Sequence, residues 1–412
     1  MQIKTLKKTH SKQLTMELGF QSTLMFVVGI FVFRPVFGLF AIQVFLFVFS
    51  LRHRIWRGFA LEVVVAAFLA ALFVTKIPGL GTHNDLPAYL QVFESYTANI
   101  VFSYTRATAA FGAAEPLFAF GTYLLQMITG NAYVTMFSWI FFSLLVLFTG
   151  LIRVSGRWGY LSIFFMLGNV NLFVIYGSAV RQSLALGLFV WTIHGCLNGV
   201  SLKRRVFPWL TGVASHLSLI LLGPILFRHV ARNDRKIVGI SIIGMSFIFL
   251  IPFPQVLNSL VGYFFGGRYV YILSYARILS ISYIFSAFIL FVQYQATVAG
   301  KNPLPRDVYL FNISASVFAI ITITAALYFN RLYPYLLVTT CVQLAFIGQA
   351  IVKDLKGLGE KIIFVSISIV QAGFFWRGFL FKKGNRFLYP ELNKTININL
   401  IEFINDFTEY IS

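Results

Sequence analysis

Most of this chain is a succession of long, nearly uncharged runs joined by short charged segments, and that pattern leaves few folds open. A helix needs about 18 or more apolar residues to cross roughly 30 Å of hydrocarbon. Runs of about that length recur at 18–33, 35–51, 58–77, 132–152, 158–180, 182–202, 237–253, 278–300, 308–330, 332–352 and 362–380. Hydrophobic residues make up 58% of the 412, and charged residues 11%. A soluble protein of this size carries about 25% charged residues. The expectation is an all-α, polytopic integral membrane protein of about 11–13 helices, one or two of them re-entrant or broken. Residues 1–382 form one transmembrane domain and 383–412 a tail.

Net charge is +20, from 33 Lys and Arg against 13 Asp and Glu. In a soluble protein this excess would suggest nucleic acid. Here the basic residues fall mostly in joints between runs, where they set orientation and meet anionic lipids, so no nucleic-acid role is expected. The clusters are Lys4 to Lys12, Arg52 to Arg57, Arg153 with Arg157, Lys203 to Arg205, Arg228 to Lys236, Lys301 with Arg306, and Lys353 to Lys361. All seven face the cytoplasm together if pieces 116–130 and 206–227 each enter and leave on one side. The first piece has only 15 residues and opens on Glu115-Pro116; the second contains Pro208, Gly212 and the Gly223-Pro224 pair. Broken backbone at membrane depth is tolerated where it is buried in protein or lines a wet cavity. The rival topology lets both pieces cross, exports Arg153, Arg157 and Lys203 to Arg205, and turns Arg181 inward.

In the first topology the outer side holds Arg34, Lys76, Arg106, Arg181, Arg268, Arg277 and Arg331. Six of these seven are arginine, whose planar fork of donors matches phosphate or carboxylate. Anchoring at the interface accounts for Arg34 and Arg106. Arg181 and Arg331 are expected at tight turns between apolar helices, where an anion-binding role competes with anchoring. The outer loops are 78–115 and 254–277. The first contains Asp85, Glu94, Glu115 and His83, though "HNDLP" also suits a turn or helix cap. The second is rich in tyrosine, which serves either as a membrane belt or as a surface for sugar rings.

His216 interrupts the apolar piece 206–227, as a core residue or as a group facing a cavity. His194 lies mid-run with no helper and reads as structural. Cys196 and Cys341 lie in apolar runs with no metal or disulfide spacing. Hydrolase, metalloprotease, P-loop and dinucleotide motifs do not occur. The tail places Leu400, Phe403, Ile404, Phe407 and Ile411 on one side of an amphipathic helix expected to lie on a surface.

"GTHNDLPAY", Glu115-Pro116, "AVRQSLA", "ASHLS" and "YFNRLYPYL" follow one another in that order. This order resembles the EpsG-like branch of the Wzy polysaccharide polymerases, over roughly residues 80 to 340. Arg181-Gln182 with Leu184-Ala185 fits best; Asp85 sits in an opened motif, and Pro334 loosens the last one. The resemblance implies a fold similar to membrane (GT-C-like) glycosyltransferases. It also implies a polymerase that transfers an undecaprenyl-diphosphate-linked oligosaccharide onto the next lipid-linked repeat unit, at the outer face of the bacterial inner membrane. The sugar arrives on lipid, so no cofactor is implied; a chain-length regulator in the membrane is a possible partner. Arg181, Gln182, Arg331, Arg268, Arg277, Tyr89 and Tyr335 become candidates for holding diphosphate or glycan. For the base that takes the acceptor's proton the order is Glu115, Asp85, then His216. Glu115 leads because partial desolvation makes a carboxylate a better base near neutral pH; its alternative role is to cap a helix dipole. An O-antigen ligase, another lipid-dependent glycosyltransferase, or a flippase of the same lipid-linked sugar are the competing readings.

Overall fold

The computed structural model describes residues 25–34, 59–75, 86–111, 115–156, 159–167, 179–198, 200–220 and 399–411, with isolated positions such as Tyr176, Leu222, Tyr335 and Cys341. The described residues form helices and no strands. The helices named here are α1 (Phe59–Thr75), α2 (Leu86–Glu94), α3 (Ile100–Phe111), α4 (Pro116–Thr129), α5 (Ala132–Ser155), α6 (Gly159–Leu167), α7 (Val180–Leu197), α8 (Leu202–Ser215) and α9 (Leu400–Ile411). Among the described residues one helix, α5, is long and apolar enough to cross a membrane.

The corner between α4 and α5 is written in two residues. Gly130 takes the left-handed conformation (φ 66°) and donates its N–H to the Gln126 carbonyl, ending α4 as a glycine cap does. Asn131 then starts α5, its side chain accepting from the backbone N–H groups of Tyr133 and Val134 at 2.8 and 3.1 Å. Thr135 locks the corner by donating to Gln126 Oε1 at 2.8 Å.

Helices α5 and α7 run in the same direction, side by side. Trp139 Nε1 donates to the Val180 carbonyl at 3.3 Å near one end, and Trp191 Nε1 to the Val146 carbonyl at 3.0 Å further along. Between these bonds Gly187 faces the Leu147 backbone; a Cβ there would stand 2.9 Å from its nitrogen. Helix α8 returns antiparallel to α7: Arg205 at its start donates to Cys196 Sγ, and Ser215 at its end to the Arg181 carbonyl. Helix α1 runs opposite to α5. Its Glu62 accepts from Tyr160 just past the end of α5, while Phe73 stacks on Tyr176.

This packing gives the bundle two unlike ends. At one end lie the end of α5, the end of α7 and the start of α8, with Arg153, Lys203 and Arg204 exposed. At the other lie the start of α7, the end of α8 and the α4–α5 corner. Helix α4 spans about 21 Å at 1.5 Å per residue, short of a crossing. Its Phe118 packs edge-on against Trp139 at 5.2 Å, two turns into α5. Glu115 therefore starts α4 within the bundle, and the chain leaves at Gly130.

Several expectations need correction. Segment 78–115, expected as an outer loop, holds α2 and α3 over much of its length. Two aromatic residues of α2, four apart, pack inward: Tyr89 and Phe93 meet Phe118 on α4 at 5.7 and 6.2 Å. Pro208 does not interrupt the second awkward piece, because α8 runs through it to Ser215. The break comes at His216, whose backbone is extended (φ −155°, ψ 119°). The tail helix is present over Leu400–Ile411, opened by a reciprocal cap between Asn399 and Glu402 with both bonds 2.9 Å. It docks on the protein, Phe403 against Phe68 of α1 and Phe407 against Phe137 of α5, at 5.0 and 5.3 Å. The outer stretch 254–277 lies outside the described residues.

Candidate active site

Arg181 is not in a turn. It is the second residue of α7, whose N-cap, Ala179, offers no side-chain acceptor. Its side chain leaves the helix start and is 8% exposed. Nη1 donates to Glu115 Oε2 at 2.9 Å, Nε donates to the Tyr89 hydroxyl at 3.2 Å, and the guanidinium lies over the Phe111 ring, 5.2 Å from its centre. Three separate elements thus hold one arginine: α2, α3 and the start of α4.

Glu115 occupies the N-cap position of α4 but makes no side-chain cap bond. The capping role weighed for it is not the one its carboxylate takes here. That carboxylate, 5% exposed, points to Arg181 with one oxygen and towards His216 with the other, Oε1 standing 3.8 Å from Nε2. A buried carboxylate is costly unless paired and hydrogen-bonded, and Arg181 supplies the pairing.

His216 reaches this point because α8 stops there. Its N–H closes the helix onto Gly212, and the turn that follows brings Ser218 back onto its ring. Ser218 N–H donates to Nδ1 at 3.2 Å and Ser218 Oγ lies 2.7 Å from the same nitrogen. The Tyr335 hydroxyl is 3.3 Å from Ser218 Oγ, and the Tyr335 ring stands edge-on to Phe189 of α7 at 5.2 Å.

Of the sequence candidates, the structure brings together Tyr89, Glu115, Arg181, His216 and Tyr335, the last through Ser218, 117 residues away in sequence. Gln182 is buried beside them, its N–H on the Ala179 carbonyl at 2.9 Å. Tyr89 and Tyr335 are each 1% exposed, with their hydroxyls on protein partners. Asp85, Arg268, Arg277 and Arg331 lie outside the described residues. Phe111 and Ser218 were not singled out from the sequence. Ser218 had a signal, the His-x-Ser spacing; Phe111 had none, being one apolar residue among many.

Residues 59–390 match the family described as EpsG. The chain belongs to the EpsG family. The match covers both the helical site and the long C-terminal half, and membership supports a membrane protein with a polysaccharide-polymerase-like function. No curated protein and no solved structure matches this EpsG-family chain.

Proposed function

We propose that this EpsG-family protein is a glycosyltransferase that polymerises polysaccharide, moving an undecaprenyl-diphosphate-linked glycan onto the next lipid-linked repeat unit at the outer face of the inner membrane. The observation that carries the reading is the buried Glu115–Arg181 pair with His216 facing it, at the end of the bundle away from exposed Arg153, Lys203 and Arg204. Cytoplasmic ends are rich in Lys and Arg, so this distribution supports an outward-facing site.

The pair suits the chemistry. The donor's diphosphate is an anion that competes with Glu115 for the Arg181 fork. As Arg181 turns to it, Glu115 Oε2 gives up its strongest partner, and the carboxylate becomes a better proton acceptor beside the acceptor sugar. The acceptor hydroxyl oxygen then bonds to the anomeric carbon and its proton passes to Glu115. The bond from that carbon to the diphosphate breaks, and the electron pair leaves with the diphosphate, whose charge Arg181 stabilises. Tyr89 orients the guanidinium. Arg331, Arg268 and Arg277 are further cations for diphosphate or glycan, Gln182 supports the start of α7, and Asp85 is the alternative base.

Arg181→Lys tests the reading. Lysine keeps the charge but not the fork, and a charge-assisted bond to an anion contributes about 1.5–3 kcal/mol. Polymer formation should fall by roughly tenfold to a hundredfold with membrane insertion retained. A lysine variant with unchanged rate would reduce position 181 to an anchor.

A further inference from the structure

The hydrogen bonds around His216 determine which of its ring nitrogens carries the proton, and with it what the residue can do. We infer that Ser218 and Tyr335 hold His216 with its proton on Nε2, so that His216 donates across the site and Glu115 is the group that accepts a proton. The catalytic consequence rests on the polymerase reading above; the proton's location does not.

The direction of each bond follows from the one donor whose sense is not adjustable. A backbone N–H only donates, and that of Ser218 points at Nδ1. Nδ1 therefore presents its lone pair, which excludes both the Nδ1–H form and the doubly protonated ring. Ser218 Oγ, 2.7 Å from the same nitrogen, must place its own proton there. Its lone pairs then face Tyr335, whose hydroxyl donates to it at 3.3 Å. In a neutral ring the remaining proton is on Nε2, and Nε2 faces Glu115 Oε1.

The separation at that point is 3.8 Å, too long for a direct hydrogen bond. A hydroxyl oxygen about 2.8 Å from each atom would bridge them from one side of the line that joins them. It would accept from Nε2–H with one lone pair, give its own proton to Oε1, and keep a second lone pair. That is what an acceptor sugar hydroxyl needs when it attacks an anomeric carbon. His216 stays neutral throughout and touches the nucleophile as a donor; Ser218 and Tyr335 are positioning residues that act through it.

The test reads the proton directly and the rate separately. Full-length protein labelled with 15N-histidine is reconstituted in lipid nanodiscs, and His216 is assigned by the signal missing in His216→Gln. The wild type should show an unprotonated Nδ1 and a protonated Nε2, and Ser218→Ala, which keeps the backbone N–H that faces Nδ1, should leave that pattern unchanged. With lipid-linked repeat units as substrate, His216→Gln, whose amide N–H replaces Nε2–H but takes no proton, should keep activity within about tenfold of wild type. His216→Ala should lose roughly a hundredfold, the scale of a positioned proton-transfer group. Tyr335→Phe should lower kcat several-fold with KM unchanged. A protonated Nδ1 in the wild type, or a folded His216→Gln as inactive as His216→Ala, overturns the inference. If the wild type spectrum is as stated but no polymer forms, the polymerase reading fails and the assignment of the proton stands.

Discussion

If the Glu115–Arg181 bond organises the site, removing either partner should damage the fold far more than removing both. The two side chains are 5% and 8% exposed and their charged atoms 2.9 Å apart. A buried charge stripped of its partner costs about 3–5 kcal/mol, while replacing both charges by apolar groups is often close to neutral. Glu115→Met takes the carboxylate from the guanidinium over Phe111, and Arg181→Met takes the guanidinium from the carboxylate. Independent effects would sum to about 6–10 kcal/mol. The double variant should instead cost well below either single, so the coupling, the sum of the singles less the double, exceeds the roughly 3–5 kcal/mol of one single. Part of the loss will not return, because the Tyr89 bond and the Phe111 contact leave with Arg181 in both backgrounds; together these contribute about 1–2 kcal/mol. Denaturant unfolding of the four purified proteins in mixed micelles measures the cycle. Single variants that each cost under about 1 kcal/mol and simply add would show that the pair is solvated and peripheral, which refutes the reasoning.

Sidedness can be checked on exposed positions rather than at the buried Arg181. A cysteine at Asn99, in the turn before α3, should react with an impermeant thiol reagent from outside, and one at Arg204 only after permeabilisation; the reverse pattern supports the rival topology. Gly187→Ala should cost about 1–3 kcal/mol of stability, because the new methyl meets the Leu147 backbone at 2.9 Å and must push α5 from α7; a thermal melt unchanged from wild type would show that the two helices are not in contact there.

How much was legible in the sequence depends on what each signal measures. Helix α5 was expected over 132–152 and runs Ala132–Ser155, since a long apolar run needs only its length to be recognised. Segment 78–115 reads as polar because α2 and α3 are short and keep part of their surface exposed; only the packing of Tyr89 and Phe93 on α4 makes them helices of the bundle. Arg181 stands as the cation between two apolar runs, yet the start of α7 at Val180 places it inside the helix, a two-residue shift that hydropathy does not resolve. For Glu115 the position before Pro116 suggested a cap, whereas the nearby guanidinium is the stronger partner for a buried carboxylate. That preference depends on a residue 66 positions away, so no local pattern carries it. Pro208 was weighed as a breaker, but it lies in the middle of α8, where a helix held by its neighbours tolerates one missing N–H.

The most direct test of the central claim gives purified, reconstituted protein a defined lipid-linked repeat unit, with no membrane gradient, and follows glycan length on a gel. The account predicts a ladder of lengthened lipid-linked glycan from the wild type. It predicts none from Glu115→Gln that still folds and binds the donor. A wild type that leaves the glycan at its starting length, or a Glu115→Gln variant that builds the full ladder, would contradict it.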